Sequence, residues 1–365
     1  MVASPGVDGD GGAVTRPVRI GLLGYGFSGR RIHTPLLDSA PECELVGVAT
    51  IVPQERALVS DELGGRPAYG SLEELAQAGA EAVTVATPIH THVSLAQEAL
   101  RRGMGVVCEK PFAPDAATAR AAVELAEELR LPLTVFQNRR WDSDFRTLQK
   151  LIGTGALGTI SRFESRFERY RLHPGPNPSG GGTLRDFGSH LVDQALVLFG
   201  PVSLVYAEMH VCDEERGLDN DMFVALTHES GVHSHIWGSW RQGAPGTRFR
   251  VTGSTGTFVV EGVDGQEARL LTGASPATDG DRWGEEPPER WGRIERGNIR
   301  EAVPLENGAW NMIYPSFAAA VRNEGPIPVA PRDALATATV LDAARLSATT
   351  GRTVRLDKAT QSLPV

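Results

Sequence analysis

Val18-Arg19-Ile20-Gly21-Leu22-Leu23-Gly24-Tyr25-Gly26-Phe27-Ser28-Gly29 is the stretch that decides how the N-terminal part of this chain folds. An apolar run rich in strand formers meets glycines spaced G-x-G-x-x-G, which is typical of a dinucleotide-binding βαβ unit. We predict that Gly24 allows the tight turn, Gly26 lets the backbone approach the pyrophosphate, and Gly29 lets the new helix pack closely on the strand. The phosphates would contact free N–H groups at the helix N-terminus, near Phe27 and Ser28.

The composition narrows the class of protein. The chain has 365 residues, 41% of them hydrophobic, which is enough for two domains. Its net charge of -9 argues against a nucleic-acid partner and favours a small molecule. No apolar run approaches the roughly 18 residues of a membrane helix, and no signal pattern begins the chain, so we expect a cytoplasmic protein without a membrane partner. The three cysteines show neither disulfide nor zinc spacing.

Short apolar runs alternate with helical stretches over residues 17–138. The runs lie at 18–23, 44–50, 82–86, 105–108 and 131–136, and helical patterns lie at 72–78, 92–102 and 116–130. This alternation predicts an α/β domain with a doubly wound, mostly parallel sheet. Residues 1–16 carry no periodic pattern, and we expect a disordered tail there.

Ligands of such sheets lie beyond the carboxyl ends of the strands. After the second strand, Thr50 and Ile51 stand where an acidic residue commonly holds the ribose hydroxyls. No carboxylate there repels a 2′-phosphate, and Arg56 follows within one or two turns, so the sequence favours NADP. NAD stays open as the cofactor, because a strong arginine clamp is also missing.

The third strand is followed by Thr87 and Pro88, which we expect to pass beneath the cofactor. His92 is the histidine expected to face the cofactor, whereas His90 is equally well explained as part of an ordinary loop.

Glu109 and Lys110 follow the fourth strand and are predicted to lie at the rim where the nicotinamide binds. The alternative is a surface ion pair, which is common and contributes little. Pro111 favours the functional interpretation, because it stops the strand and defines the turn that holds Lys110.

The glycine motif, Glu109-Lys110-Pro111 and Gly180-Gly181-Gly182-Thr183-Leu184-Arg185-Asp186-Phe187-Gly188-Ser189-His190-Leu191-Val192-Asp193 occur in this order. Together they resemble the glucose-fructose oxidoreductase and inositol dehydrogenase family (Gfo/Idh/MocA) over nearly the whole chain after the tail. Residues 138–145 and 286–292 are similar to the branch with NADP-linked scyllo-inositol dehydrogenases.

The resemblance implies that residues 139–365 form an α+β domain for substrate binding and oligomerisation, built on a large open, mainly antiparallel sheet. Strand-like runs at 160–169, 202–211, 222–227, 232–240, 248–252 and 257–261 agree. A neighbouring subunit often covers this sheet in relatives, so we expect a homodimer or homotetramer. Residues 273–298 are interpreted as a long excursion or lid, and a final helix at 334–348 is expected to pack back on the body.

Lys110, Asp186 and His190 are the predicted catalytic residues. Asp186 and His190 are one helical turn apart on the same face. Hydride transfer from a carbinol carbon needs the hydroxyl proton removed, and a histidine with a reference pKa of about 6.5 suits this near neutrality. Lys110 would hydrogen-bond the reacting oxygen, and Asp186 would orient the substrate or His190. Family precedent shares proton transfer between Lys110 and His190, so the reverse assignment stays open.

Further substrate contacts are expected from Arg139, Arg166 and Tyr170, in addition to Lys110, Asp186 and His190. Residues 171–179 depart from the related branch, where a Trp-Arg pair is expected, so a modified sugar, an amino sugar or a cyclitol derivative is as plausible as inositol. We expect no metal: the histidines at 228, 233 and 235 are better explained by the wet face of an antiparallel sheet.

The sequence therefore favours an NAD(P)-dependent oxidoreductase that acts on a secondary alcohol or ketone of a sugar, cyclitol or related polyol. A non-catalytic nucleotide-sensing regulator and a lyase or hydrolase using transient oxidation with retained NAD are the alternatives.

Overall fold

The computed structural model describes residues 16–171 and 181–357. The predicted tail up to residue 15 and most of the 171–179 segment therefore lie outside the described residues. Within the described part the chain builds two sheets, one parallel and one mainly antiparallel. This confirms the α/β class predicted from the alternation of strands and helices, and the α+β class implied by the family resemblance.

The first sheet has six parallel strands in the order β3-β2-β1-β4-β5-β6. Its strands are β1 (Val18–Leu23), β2 (Cys43–Ala49), β3 (Ala68–Tyr69), β4 (Ala82–Val85), β5 (Gly105–Cys108) and β6 (Leu133–Val135). Every residue of β4, β5 and β6 is buried. This continuous apolarity is what a parallel sheet requires, because helices cover both of its faces.

Helices connect these strands. They are α1 (Thr34–Asp38), α2 (Pro53–Glu62), α3 (Leu72–Gln77), α4 (Ile89–Arg101) and α5 (Ala116–Leu129), and a π-helical turn over Gly29–His33 precedes α1. Ser71 and Asp115 cap α3 and α5 with side-chain oxygens that accept backbone N–H groups of the first turn. The helices that the sequence predicted in this part lie within three residues of the observed bounds.

The second sheet has nine strands in the order β14-β13-β12-β11-β7-β10-β9-β8-β15, antiparallel except for the pair β7 and β10. They are β7 (Ile160–Glu168), β8 (Val202–Asp213), β9 (Leu218–His228), β10 (His233–Ser239), β11 (Phe249–Gly253), β12 (Gly256–Val260), β13 (Gly292–Arg296), β14 (Ile299–Val303) and β15 (Val354–Arg355). Buried and partly exposed residues alternate along β9 and β10, so one face packs on the core.

The remaining helices are α6 (Ser143–Gly153), α7 (Thr183–Phe199), α8 (Gln266–Leu271), α9 (Pro276–Asp279), α10 (Ile313–Val321) and α11 (Pro331–Thr350). The α7 and α11 helices pack on the inner face of the second sheet around Phe163, Phe187 and Val340. The predicted final helix is α11, and it also packs against α5 of the first unit.

The sequence did not indicate α10, β13 or β14. Tyr314 and Phe317 of α10 join the core of the first sheet, although they lie far along the chain. The predicted domain boundary at residue 138 stays a prediction.

Residues 273–298, interpreted as a long excursion or lid, pack against the body in this structure. They contain α9 and the sheet strand β13, and they bury Trp283. Among the described residues no helix is both long and apolar enough to cross a bilayer.

Candidate active site

The glycine turn joins β1 to the first helical turn. Gly24 has a φ of +90°, and a Cβ at this position would lie 2.7 Å from the carbonyl oxygen of Ala86. A Cβ on Gly29 would overlap the carbonyl oxygen of Gly24, so this glycine sets the close packing of helix on strand. A Cβ on Gly26 would meet only Glu55 Oε1, at 3.7 Å. Gly26 is therefore open on the side where a ligand would approach.

A cavity of about 880 Å³ runs from this turn to α7. Most of the predicted cofactor contacts line it: Gly24, Gly26, Phe27, Ser28, Thr50, Ile51, Thr87, Pro88, His92, Glu109 and Lys110. The opposite part of the cavity is lined by Asn138, Arg139, Arg169, Arg171, Asp186, Phe187, His190, Trp240, Glu267 and Trp310. The two sets meet at Lys110, so one continuous space joins the glycine turn to the predicted catalytic residues.

Two predicted cofactor residues do not line the cavity. Gly29 lies behind the turn, in agreement with its predicted packing role. Arg56 is exposed, and its Nε donates to the carbonyl oxygen of Thr50 at 2.9 Å. Its guanidinium is thus attached to the end of β2 beside the cavity.

Glu55 brings a carboxylate to this end of the cavity, and no motif in the sequence signals it. Its Oε2 accepts the N–H of Tyr25 at 3.1 Å and the hydroxyl of Thr50 at 2.5 Å. The acidic group comes from the first turn of α2 rather than from the end of β2. The preference between NAD, which has a 2′-hydroxyl, and NADP, which has a 2′-phosphate, thus depends on Glu55 as well as on Arg56.

His92 links two loops under the cavity. Its Nε2 lies 2.7 Å from the carbonyl oxygen of Thr87, and its Nδ1 lies 2.9 Å from that of Pro111. Burial lowers the pKa of His92 from its ordinary value. Because both ring nitrogens face backbone carbonyls, His92 holds the turn after β5 against the turn after β4.

Glu109 is buried at the junction of the two parts of the cavity. Its carboxylate accepts hydrogen bonds from Ser28 Oγ and from the backbone N–H of Lys110, and it lies 3.4 Å from His33 Nε2. Burial alone would raise the pKa of Glu109, but His33, Lys110 and Ser28 together lower it to about 2. The glycine turn and the Glu109-Lys110-Pro111 turn are therefore joined by a charged carboxylate.

Lys110 and Asp186 meet inside the cavity although 76 residues separate them. Lys110 Nζ lies 2.5 Å from Asp186 Oδ1, and both side chains are less than one-fifth exposed. Asp186 stands in the first turn of α7, where a negative charge also suits the helix dipole. The ammonium group is thereby held at the junction of the two parts of the cavity.

His190 lies one turn further along α7 and lines the same cavity. Its ring is buried, and its Nδ1 has no hydrogen-bond partner among the described residues. Burial first, and then the positive charges of Lys110 and Arg139, hold the pKa of His190 well below 6.5. The imidazole is therefore neutral at neutral pH and available to take up a proton.

Arg139 lines the cavity, and both of its terminal guanidinium nitrogens are paired, whereas its buried Nε has no hydrogen-bond partner among the described residues. It contacts Asp142 at 3.1 Å and Glu267 at 2.6 Å, and it lies over the ring of Phe167. Burial alone would lower the pKa of Arg139, but the two carboxylates raise it above its ordinary value. Glu267 comes from α8, and no motif near it in the sequence signals its place in the cavity.

The structure corrects the expectation that Arg166 and Tyr170 face the cleft. Arg166 points to the outer face of the second sheet, where it stacks on Trp237 at 3.9 Å and pairs with Glu164. Tyr170 is 66% exposed, pairs its backbone with Arg241 and does not line the cavity. Because side chains alternate along a strand, the residues on the cavity side are odd-numbered, and they include Arg169 and Arg171.

The histidines of the second sheet form no metal centre in the described structure. His228 is buried and contacts the carbonyl oxygen of Gly200 and the hydroxyl of Ser234, whereas His235 packs near Phe223. Within residues 16–171 and 181–357, no group of three or more His, Cys, Asp or Glu side chains is placed to hold a metal ion.

Comparison with known protein families decides where this fold and site belong. Residues 18–137 match an oxidoreductase family with an NAD-binding Rossmann fold, and residues 145–259 match the Gfo/Idh/MocA C-terminal domain. The chain belongs to the Gfo/Idh/MocA oxidoreductase family. The resemblance read from the glycine motif, Glu109-Lys110-Pro111 and the start of α7 is thereby confirmed.

Individual members of the Gfo/Idh/MocA family are similar over most of the chain. The scyllo-inositol 2-dehydrogenase (NADP(+)) of Bacillus subtilis is 31% identical over 350 residues, which cover 93% of this chain and 96% of that protein. A D-apiose dehydrogenase of Paraburkholderia graminis is 28% identical over 92% of this chain and 88% of its own length. A solved oxidoreductase from Klebsiella pneumoniae has a TM-score of 0.85 at 32% identity, covering 95% of this chain and 98% of that one.

Family membership makes this chain an oxidoreductase with an NAD-binding domain. The predicted dehydrogenase class and the nicotinamide cofactor are confirmed at this level, and a small-molecule substrate fits the relatives.

Proposed function

We propose that this protein is an NAD(P)-dependent dehydrogenase that interconverts a secondary alcohol and a ketone on a sugar, cyclitol or related polyol. The observation that carries the proposal is the pair Lys110 and Asp186, 2.5 Å apart, in the same cavity as His190 and the glycine turn. A regulator without catalysis would have no use for an ammonium, a carboxylate and a neutral imidazole at this junction.

The residues of the turn suit a dinucleotide. Gly26 leaves space beside the backbone, and the first N–H groups of a helix have no acceptors within that helix, so those of Phe27 and Ser28 suit a pyrophosphate. When bound, the cofactor supplies the hydride acceptor or donor of the reaction.

The residue roles follow from charge and position. Lys110 would donate a hydrogen bond to the reacting oxygen and polarise it in the ketone form. His190, neutral and buried, would take the hydroxyl proton during oxidation and return it during reduction. Asp186 would hold Lys110 in place and accept a neighbouring substrate hydroxyl. An exchange of the proton-transfer roles of Lys110 and His190 stays part of the proposal.

The substrate class is supported by the names of the relatives, which include an inositol dehydrogenase and an apiose dehydrogenase. The B. subtilis relative uses NADP, which agrees with the preference expected from Thr50 and Arg56. A homodimer or homotetramer through the outer face of the second sheet is part of the proposal, supported by the half-buried aromatic side chains of Phe223 and Trp237 there. The cytoplasmic location rests on composition and stays a prediction.

The test is a cofactor titration followed by a substrate screen. NADH and NADPH binding is measured by fluorescence, and cyclitols and sugars are then screened for a change in the absorbance band of reduced nicotinamide. Net, substrate-dependent oxidation or reduction supports the proposal. Cofactor that copurifies and is never consumed during substrate conversion would instead indicate transient oxidation with retained NAD. Binding without any conversion would indicate a sensing protein.

A further inference from the structure

The substrate part of the cavity holds more positive than negative charge. Four cationic side chains, Lys110, Arg139, Arg169 and Arg171, line it, and two carboxylates, Asp186 and Glu267, face them; the charged carboxylate of Glu109 at the junction brings the negative groups to three. His190 adds no charge at neutral pH. Residues 172–180 lie outside the described structure, and their sequence contains no Asp or Glu.

Asp186 and Glu267 already form ion pairs with cations of the cavity. Asp186 pairs with Lys110 at 2.5 Å, and Glu267 pairs with Arg139 at 2.6 Å. Arg169 reaches the same oxygen of Glu267 only at 3.5 Å, so its partner is shared with a closer guanidinium. The surplus positive charge therefore lies on Arg169 and Arg171.

Arg169 is held in position without being neutralised. Its guanidinium lies 4.9 Å from the ring centre of Phe167 and 5.7 Å from that of Trp240, so aromatic faces support the charged group. Its side chain is 39% exposed. A guanidinium fixed in this way presents N–H donors in the planar arrangement that carboxylate and phosphate oxygens match.

Arg171 lines the same cavity as Arg169. It lies two residues further along an extended segment, and its backbone N–H donates to the carbonyl oxygen of Trp240 at 2.9 Å. Its side chain makes no ion pair with any residue in the ranges 16–171 and 181–357. The cavity thus carries two guanidinium groups two residues apart, of which Arg169 shares its partner and Arg171 has no ion-pair partner within the described part of the chain.

We propose that the substrate carries an anionic oxygen group, a carboxylate or a phosphate, on its polyol skeleton, and that Arg169 and Arg171 bind this group. The inference rests on the proposed dehydrogenase function and narrows its substrate from polyols in general to sugar acids or phosphorylated polyols. A concave site with surplus positive charge raises the local concentration of anions and binds them more tightly than neutral sugars. The reacting carbinol would then lie at Lys110 and His190, with the anionic group toward the second sheet.

The experiment compares matched ligands on the cofactor-loaded full-length protein by calorimetry. Glucose is compared with glucuronate, which carries a carboxylate, and with glucose 6-phosphate, which carries a phosphate. We expect at least one anionic compound to bind about tenfold or more tightly than glucose, which corresponds to about 1.4 kcal/mol. Tighter binding of glucuronate would identify the anionic group as a carboxylate, and tighter binding of glucose 6-phosphate would identify it as a phosphate.

The variants Arg171→Gln and Arg169→Gln should each remove most of that advantage, measured as the ratio of the Kd for glucose to the Kd for the anionic compound. Arg162→Gln is the matched control, because Arg162 is an exposed arginine of β7, the strand that leads into Arg169 and Arg171. It removes one positive charge from the protein without touching the cavity, and it should keep the advantage.

Glucose binding as tightly as both anionic compounds would overturn the inference. An advantage that survives in the double variant of Arg169 and Arg171, or that Arg162→Gln also removes, would overturn it as well. A different result would contradict the proposed function itself: no polyol, whether anionic or neutral, changes the redox state of the cofactor. Conversion of neutral polyols without preference for the anionic compounds would contradict only the inference that the substrate is an anion.

Discussion

Lys110 Nζ lies 2.5 Å from Asp186 Oδ1, and this ion pair joins the turn after β5 to the first turn of α7. It is a contact between the two units of the fold, since Lys110 follows a strand of the parallel sheet and Asp186 belongs to a helix that packs on the antiparallel sheet. The proposed reacting centre thus lies where the two sheets meet, and residues of both units contribute to it.

Cofactor preference is expected to respond to Glu55. The carboxylate lies at the Thr50 end of the cavity, where it would repel a 2′-phosphate and accept a ribose hydroxyl. Glu55→Gln keeps an oxygen for the N–H of Tyr25 and removes the charge. The ratio of kcat/KM for NADP to that for NAD should rise about tenfold, which is within the range for one removed like charge. Arg56→Gln should lower the same ratio, and an unchanged ratio in Glu55→Gln would show that Glu55 does not contact the ribose.

Two glycines of the turn should respond differently to alanine. A Cβ on Gly26 meets no protein atom closer than 3.7 Å, so Gly26→Ala should leave the thermal stability of the cofactor-free protein unchanged. It should weaken cofactor binding at least about tenfold, because the methyl group occupies the space of the pyrophosphate. Gly29→Ala should lower stability itself, by about 1–3 kcal/mol, since its Cβ overlaps the carbonyl oxygen of Gly24. Equal melting losses in the two variants would contradict this division.

The pH dependence of oxidation should reflect the depressed pKa of His190. A base must be neutral to accept a proton, and burial with nearby cations holds the pKa of His190 well below 6.5. The plateau of kcat/KM for oxidation should therefore extend below pH 6.5 before it falls. The profile is measured with saturating cofactor and limiting alcohol. An acid limb centred at or above pH 6.5 would mean that another group accepts the proton.

Acid should destabilise the fold partly through His228. Burial lowers the pKa of this histidine from 6.5 to about 4, so the folded state resists a proton that the unfolded state binds. The contribution of His228 to the free energy of unfolding is therefore fully present above pH 6.5. It declines as the pH falls toward 4, by up to about 3 kcal/mol. Urea midpoints at the two ends of this range measure the loss. His228→Gln should show a smaller loss than the wild type, and an equal loss would contradict the assignment.

The sequence was most informative about the first sheet. Its strands are buried on both faces, so they are continuous apolar runs, and the turns between them are marked by glycine and proline. Helix α10 could not be predicted in its place, because Tyr314 and Phe317 reach the first sheet only through tertiary packing. Strand β13 was hidden for a related reason, since its segment is rich in Gly, Pro and charged residues.

The site was predictable only where its residues stand in local motifs. Lys110 follows a buried strand beside a proline, and Asp186 and His190 share one helical face. Glu267 stands in no such motif and reaches the cavity from α8. Arg166, expected from the sequence to face the cleft, points away from the cavity, whereas Arg169 three residues later lines it, because the face of a strand that meets the cavity depends on the packing of the whole sheet.

The most direct test of the account replaces Lys110 by methionine and measures turnover and cofactor affinity on the same preparation. The account predicts that kcat falls at least ~10²-fold, the usual scale for a positioned acid or base, while the Kd for the reduced cofactor stays within a few-fold. Activity close to that of the wild type would contradict the claim that Lys110 and His190 act together on the reacting carbon.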